Sequence, residues 1–293
     1  MPNSILCNIL RTHPKDALQL KDFYETLLGM KYSEIESKTT RHMFVFDHQK
    51  PATGVCFEEC TDSFETNPSQ SGYWKIGFTL HDVDEALKVI HKNTVEKRRG
   101  SQFEKIGYVS HVCDPLGYTI ELLQHSFEEN FQALKGVERA FLGQPHSTPV
   151  MFGQITIRCK DAESSCDFYS KVLGMKLMSI QPSINYPFTL YFFAYTDLNP
   201  PNTDDLRAIE NREWLWQQSF AQIELQHRHN NTGEFFYITN DKHGLIGHKG
   251  FQISVSKDRF ESIRALDGKN INERNSMLII SDPNGYQIEV LCE

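Results

Sequence analysis

Two phrases occur twice in this chain, and their order limits the possible folds more than any other feature. "KDALQLKDFYETLLGMK" spans 15–31 and "KDAESSCDFYSKVLGMK" spans 160–176, sharing KDA, DFY and LGMK in register. "DPLGYTIE" at 114–121 returns as "DPNGYQIE" at 282–289. A chain that repeats its landmarks in the same order is a tandem duplication, and here the second copy is longer between its landmarks. With 293 residues in all, each copy has enough chain to bury its own core.

Each DFY segment carries a helical stripe: Ala17, Leu20, Tyr24, Leu27 and Leu28 in the first copy, Ala162, Cys166, Tyr169, Val172 and Leu173 in the second. Asp161 is placed to cap the helix start and Gly174 to end it. Strand-like runs surround these helices ("ILCNIL", "QITIRC", "FTLYFFAY", "AQIELQ", "FQISV", "MLIIS", "YQIEVL"), and further amphipathic segments follow at "VDEALKVI" and "DRFESIRAL". The expectation is an α+β protein of four βαβββ modules, with curved mixed sheets forming grooves. The expected division is 1–125, a linker at 126–149, and 150–293.

A net charge of -8 gives no support to nucleic-acid binding. No apolar run reaches membrane-spanning length, and the N-terminus lacks the basic and apolar regions of a secretory signal, so a cytoplasmic protein is expected. The seven Cys, odd in number and without a CxxC pair, suit reduced thiols. The basic stretch "VEKRRG" at 95–100 suits a solvated loop or an anion contact.

In the second copy strict alternation puts Gln154, Thr156 and Arg158 on one strand face, with Glu224 and Gln226, His248, Gly250, Gln252 and Ser254, and Gln287 and Glu289 on the polar faces of three more strands. Such faces usually meet solvent. Converging on one concave surface, two carboxylates, an imidazole and an amide oxygen would suit a divalent cation.

The run of "QITIR", "DFYSKVLGMKL", "TLYFFAY", "IELQH", "GHKGFQISV" and "DPNGYQIEVL" resembles glyoxalase I (lactoylglutathione lyase) of the vicinal oxygen chelate superfamily. That resemblance implies a tandem-duplicated glyoxalase-like fold and metal positions at Gln154, Glu224, His248 and Glu289. It implies one Zn per chain, with Ni or another divalent metal as alternatives, and a glutathione–methylglyoxal hemithioacetal as substrate. Glu289 would move the proton, with Glu224 sharing the shuttle, while Arg158, Arg99 and Lys105 would contact glutathione. Trp214 and Trp216, in "EWLWQ", are candidates for an apolar wall.

The first copy departs from this pattern. Aligning "WKIGFTL" with "GHKGFQI" puts Lys75 where His248 stands, Cys56 falls opposite Glu224 with Glu58 one step on, and Ile9 or Asn8 opposite Gln154; only Glu121 matches the final carboxylate. An ammonium has no lone pair to ligate a metal. If the second copy closes its own barrel, all four ligands meet. If the modules exchange, Gln154 and Glu224 join Lys75 and Glu121, leaving His248 and Glu289 elsewhere. The rival reading is therefore a catalytically inactive binding protein for a small molecule or thiol conjugate. An iron-dependent dioxygenase, even with His227 and His229 as extra imidazoles, and a purely structural protein rank lower. Duplication satisfies the pairing of modules within one chain, so a monomer is expected.

Overall fold

The computed structural model describes residues 3–36, 39–67, 71–90, 99–133, 150–229, 239–240, 244–266, 272–274 and 277–293. Most of the expected linker, and positions 95–98 of the basic stretch, lie outside these.

Among the described residues sixteen strands form two sheets of eight, and a small third sheet joins Phe64–Glu65 to Gly244–Ile246 and Thr239–Asn240. The first module supplies β1 (Ser4–Thr12), β2 (Lys31–Ile35), β3 (Arg41–Val45) and β4 (Gly54–Glu59). The second supplies β5 (Tyr73–Leu80), β6 (Ser101–Phe103), β7 (Gly107–Cys113) and β8 (Thr119–Gln124). From the third come β9 (Met151–Cys159), β10 (Lys176–Pro182), β11 (Phe188–Ala194) and β12 (Gln222–Arg228). The fourth gives β13 (His248–Val255), β14 (Asn272–Arg274), β15 (Met277–Ser281) and β16 (Gln287–Cys292).

The sheets do not follow the halves of the sequence. One, the terminal sheet, has the order β14-β15-β16-β13-β1-β4-β3-β2 and joins the first module to the fourth; the other, the middle sheet, runs β10-β11-β12-β9-β5-β8-β7-β6 and joins the second to the third. The two junctions are antiparallel pairs, β1 with β13 and β5 with β9. Residues 1–125 and 150–293 therefore do not each close a groove of their own. The expected α+β class and duplicated curved sheets are present.

The repeated phrases act within each half instead. The DFY helices begin at α1 (Ala17–Lys21) and α3 (Ala162–Asp167), each widening into a π-type turn. Asp161 caps the second by accepting from Ser164 N at 2.7 Å. Both helices end on left-handed glycines, Gly29 at φ 71° and Gly174 at φ 76°. Their buried tyrosines reach the second phrase: Tyr24 Oη donates to Asp114 Oδ2 at 2.9 Å and Tyr169 Oη to Asp282 Oδ2 at 3.3 Å. The other oxygen of each Asp accepts backbone N–H groups of its own turn, from Leu116 and Tyr118 or from Asn284 and Tyr286. Tyr118 and Tyr286 then donate to the carbonyls of Arg11 and Arg158. The phrase thus fastens helix, turn and first strand together.

α2 (Val83–Ile90) and α4 (Lys257–Arg264) bury Val83, Ala86 and Leu87, and Phe260 and Ile263. One continuous apolar core includes residues of both sheets and of the helices, among them Tyr24, Phe78, Phe152, Tyr169, Ile253 and Ile288. No helix among the described residues is long and apolar enough to cross a membrane.

Candidate functional site

The strand pairings fix which residues are equivalent in the two grooves. Gly77 lies opposite Glu121, and Gln252 opposite Glu289. Across the junctions Gly77 faces Gln154 and Gln252 faces Cys7. Thr156 and Glu224 are neighbours, as are Ile9 and Cys56. Cys7 is therefore the counterpart of Gln154, where the sequence alignment placed Ile9 or Asn8. Cys56 is the counterpart of Glu224, as aligned.

His248 has a different fate from the one strict alternation gives it. Between Thr156 and Ile157 the partner on β5 moves from Lys75 to Tyr73, and between Ile9 and Leu10 the partner on β13 moves from Gly250 to His248. Each is a bulge with one extra residue, Trp74 or Lys249, so the next side chain turns to the opposite face. His248 is thus equivalent to Tyr73, and Lys75 to Gly250. His248 is fully buried, stacks on Tyr73 at 4.3 Å, and contacts Asn8 Oδ1 through Nε2 at 3.1 Å. Burial lowers its pKa to about 3, so this is a neutral core imidazole.

The four expected metal ligands are consequently not brought together. Gln154 and Glu224 belong to the middle sheet, His248 and Glu289 to the terminal sheet. Glu289 is held by Arg41, with Nη1 to Oε2 at 2.8 Å and Nη2 to Oε1 at 2.6 Å, while Gln252 Nε2 donates to Oε2 at 2.9 Å. Arg41 also donates through Nε to Glu58 Oε2 at 2.8 Å, and Lys249 completes the network on Glu58. Hydrogen bonding to Glu289 raises the Arg41 pKa, so the guanidinium stays charged. Cys7, Ile9 and Cys56, with Met43 packed against them, form a small buried cluster on the same sheet.

The middle sheet carries an open cavity of about 420 Å³. Its polar floor consists of Lys75, Glu121, Gln154 and Glu224, with His111 at the side. Lys75 Nζ is 2.5 Å from Glu121 Oε1, and His111 Nε2 is 3.2 Å from the same oxygen. Gln154 Nε2 donates to Glu121 Oε2 at 2.8 Å and to Glu224 Oε2 at 2.5 Å; Thr156 Oγ1 donates to Glu224 Oε2 at 2.6 Å. Gln154 Oε1 is buried and has no hydrogen-bond partner among the described residues.

The two carboxylates differ. Burial pushes the Glu121 pKa up, but the Lys75 charge and the contact with His111 outweigh it and hold it at about 2. At Glu224 burial prevails: its pKa is raised, the nearby Glu121 charge adding and Lys75 opposing. Above the floor the walls are aromatic and aliphatic, with Phe103, Phe188, Leu190, Phe192 and Trp216. Trp216 is fixed by donating from Nε1 to Ile106 O at 3.0 Å, while Trp214 packs on Phe220.

The expected substrate-contacting cations are mostly occupied. Arg99 borders the cavity, donating from Nε to Asp84 at 3.0 Å and from Nη2 to Glu128 at 3.2 Å. Lys105 pairs with Glu129. Arg158, buried beside the cavity, donates to Gln226 Oε1 at 3.2 Å and lies 5.4 Å from the Trp74 ring. Burial, with the charge of Arg228, lowers its pKa to about 10. His229 bonds to Thr189, away from the floor. The sequence reading missed His111, although "GYVSHVC" alternates and His111 lies directly opposite Glu121.

A divalent cation does not fit either groove as built. In the middle sheet the Lys75 ammonium, itself unable to ligate, already sits on Glu121; in the terminal sheet a guanidinium takes both oxygens of Glu289. Among the described residues no group of three or more His, Cys, Asp or Glu side chains is placed to hold a metal ion.

Relatives share both the sequence pattern and the architecture. Residues 14–122 and 151–290 each match the profile of the Glyoxalase/Bleomycin resistance protein/Dioxygenase superfamily. A lactoylglutathione lyase of Pseudomonas putida is 30% identical over 159 residues, covering 50% of this chain and 87% of that protein. Glyoxalase I of Saccharomyces cerevisiae is 25% identical over 226 residues, covering 75% of this chain but 64% of its own length. The crystal structure of glyoxalase I from Zea mays superposes with a TM-score of 0.68 at 19% identity, covering 99% of this chain and 92% of that one, a likeness of fold. With both halves matched and the paired curved sheets in place, this chain belongs to the Glyoxalase/Bleomycin resistance protein/Dioxygenase superfamily.

Proposed function

We propose that this chain is a metal-free member of its superfamily that binds a small organic molecule in the middle-sheet cavity, acting as a monomer in which both sheets are completed by one polypeptide. The observation that carries this reading is the contact of Lys75 Nζ with Glu121 Oε1 at 2.5 Å on the cavity floor. An ammonium there supplies positive charge without offering a coordination position. The volume, about 420 Å³, lies within the ordinary range of small-ligand sites, and apolar walls over a few convergent polar groups have the usual composition of one.

The second reading is a lactoylglutathione lyase using zinc. Its support is the 30% identity to the Pseudomonas putida enzyme and the convergence of three oxygen-bearing side chains, Gln154, Glu224 and Glu121, in one groove. In that reading Glu121 takes the carboxylate role expected of Glu289, and Lys75 must leave the floor before a metal enters.

One experiment separates the two. Metal content is measured on the purified protein, and formation of S-lactoylglutathione from methylglyoxal and glutathione is followed before and after chelation and zinc addition. The metal-free reading expects no stoichiometric zinc and no thioester under any of these conditions. One zinc per chain with chelator-sensitive turnover overturns it.

A further inference from the structure

The charges on the cavity floor do not balance. Two carboxylates, Glu121 and Glu224, share one permanently charged partner, Lys75. Glu121 takes that ammonium directly and also faces His111. Glu224 makes no ion pair among the described residues; the hydrogen bonds it accepts there come from the neutral donors Gln154 and Thr156, both to Oε2. Where a divalent cation would neutralise two carboxylates, Lys75 neutralises one. Beside the uncompensated carboxylate is a second, independent sign of a missing ligand group. Gln154 is 2% exposed, lines the cavity and finds no donor for its Oε1 among the described residues. A buried amide oxygen in this state is costly unless something donates to it.

One chemical group satisfies both needs, a cation that also carries N–H donors. We propose that the middle-sheet cavity recognises a small organic monocation, a primary or secondary ammonium on an aromatic or branched apolar body, whose N–H groups donate to Glu224 and to Gln154 Oε1. The body lies against Phe188, Leu190, Phe192 and Trp216. Aromatic faces near a desolvated cation add attraction through their quadrupoles. The cations at the rim do not oppose entry strongly, because Arg99 is paired with Asp84 and Glu128, and Lys105 with Glu129. This proposal rests on the metal-free reading above and narrows its ligand to a charge class.

The test is a charge series on one body. Phenylethylammonium, phenylethanol and phenylpropionate are titrated into the protein by calorimetry at neutral pH and low salt. The ammonium is expected to bind at least about tenfold more tightly than the alcohol or the carboxylate. In Glu224→Gln, with folding checked by circular dichroism, ammonium affinity should fall about tenfold while alcohol affinity holds. Equal or tighter binding of the alcohol or carboxylate overturns the proposal, as does failure of all three to bind, or an ammonium preference that survives in Glu224→Gln. These failures are distinct from failure of the metal-free reading, which is recognised by bound zinc and thioester formation. A zinc-free protein that prefers the carboxylate retains the first reading and loses only this one.

Discussion

Arg41→Met is the sharpest perturbation of the terminal groove, because it asks whether Glu289 is a structural ion or a reactive group. Arg41 holds both oxygens of Glu289 at 2.6 and 2.8 Å and also donates to Glu58; the Arg41 side chain is 18% exposed and that of Glu289 8%. Removing one partner of a buried ion pair typically costs about 3 to 5 kcal/mol, since the remaining charge is left desolvated. Lys249 still holds Glu58, and Arg41 is partly exposed, so the lower end, about 3 kcal/mol, applies here. Removing both charges in Arg41→Met/Glu289→Met should recover roughly 2 kcal/mol of that loss, because neither ion then remains alone. Urea denaturation followed by circular dichroism measures both, with an unchanged slope indicating that stability alone has moved. A loss below about 1 kcal/mol in the single variant, or a double variant no better than the single, refutes the ion-pair account.

Three further outcomes follow from other parts of the molecule. Gly250→Ala places a Cβ 2.2 Å from Gln287 O at a φ of +142°, so it should cost at least about 2 kcal/mol by the same denaturation assay. Lys75→Ala removes the ammonium from Glu121 and should raise zinc affinity at least about tenfold over wild type in calorimetry; an unchanged affinity separates the lysine from metal exclusion. His248 has its folded pKa lowered to about 3, below the unfolded value, so its contribution is intact above pH about 6.5 and lost as pH falls toward 3, by up to about 1.4 kcal/mol per unit. Asp114 and Asp282, raised to about 6 by burial, act in the opposite sense, favouring the folded state below their unfolded pKa and losing that effect as pH rises through 6. The His248 part is isolated as the difference in acid sensitivity between wild type and His248→Phe, and equal slopes refute it.

What the sequence disclosed was local. The DFY stripes, the Asp161 cap and the Gly174 stop depend on residues a few places apart, and the structure has each of them. Which modules pair was not legible, because β1 joins β13, and β5 joins β9, through contacts between distant residues that leave the periodicity of each strand unchanged. His248 was misplaced for a related reason. Alternation is a reliable guide only along an uninterrupted strand, and one extra residue at Lys249 reverses the face. The positive φ of Gly250 accompanies that irregularity, and "HKGF" in the sequence was its sole local sign. Glu121 and Glu224 were recognisable individually, but their meeting over Lys75 required the exchanged pairing.

The exchange of modules also bears on what happens to the chain when it is cut. A product of either half alone would carry two four-stranded sheets, each with a raw inner edge at β1 and β5 or at β9 and β13, where backbone donors and acceptors seek a partner. Such a fragment is primed to dimerise or aggregate, whereas a protein cleaved once between 134 and 149 would retain its fragments as a complex, clasped along both large sheets and by the short pairing of Phe64–Glu65 with Gly244–Ile246. Co-expressed halves should then reassemble into the parent particle, making this fold a natural split reporter in which neither piece is a finished protein.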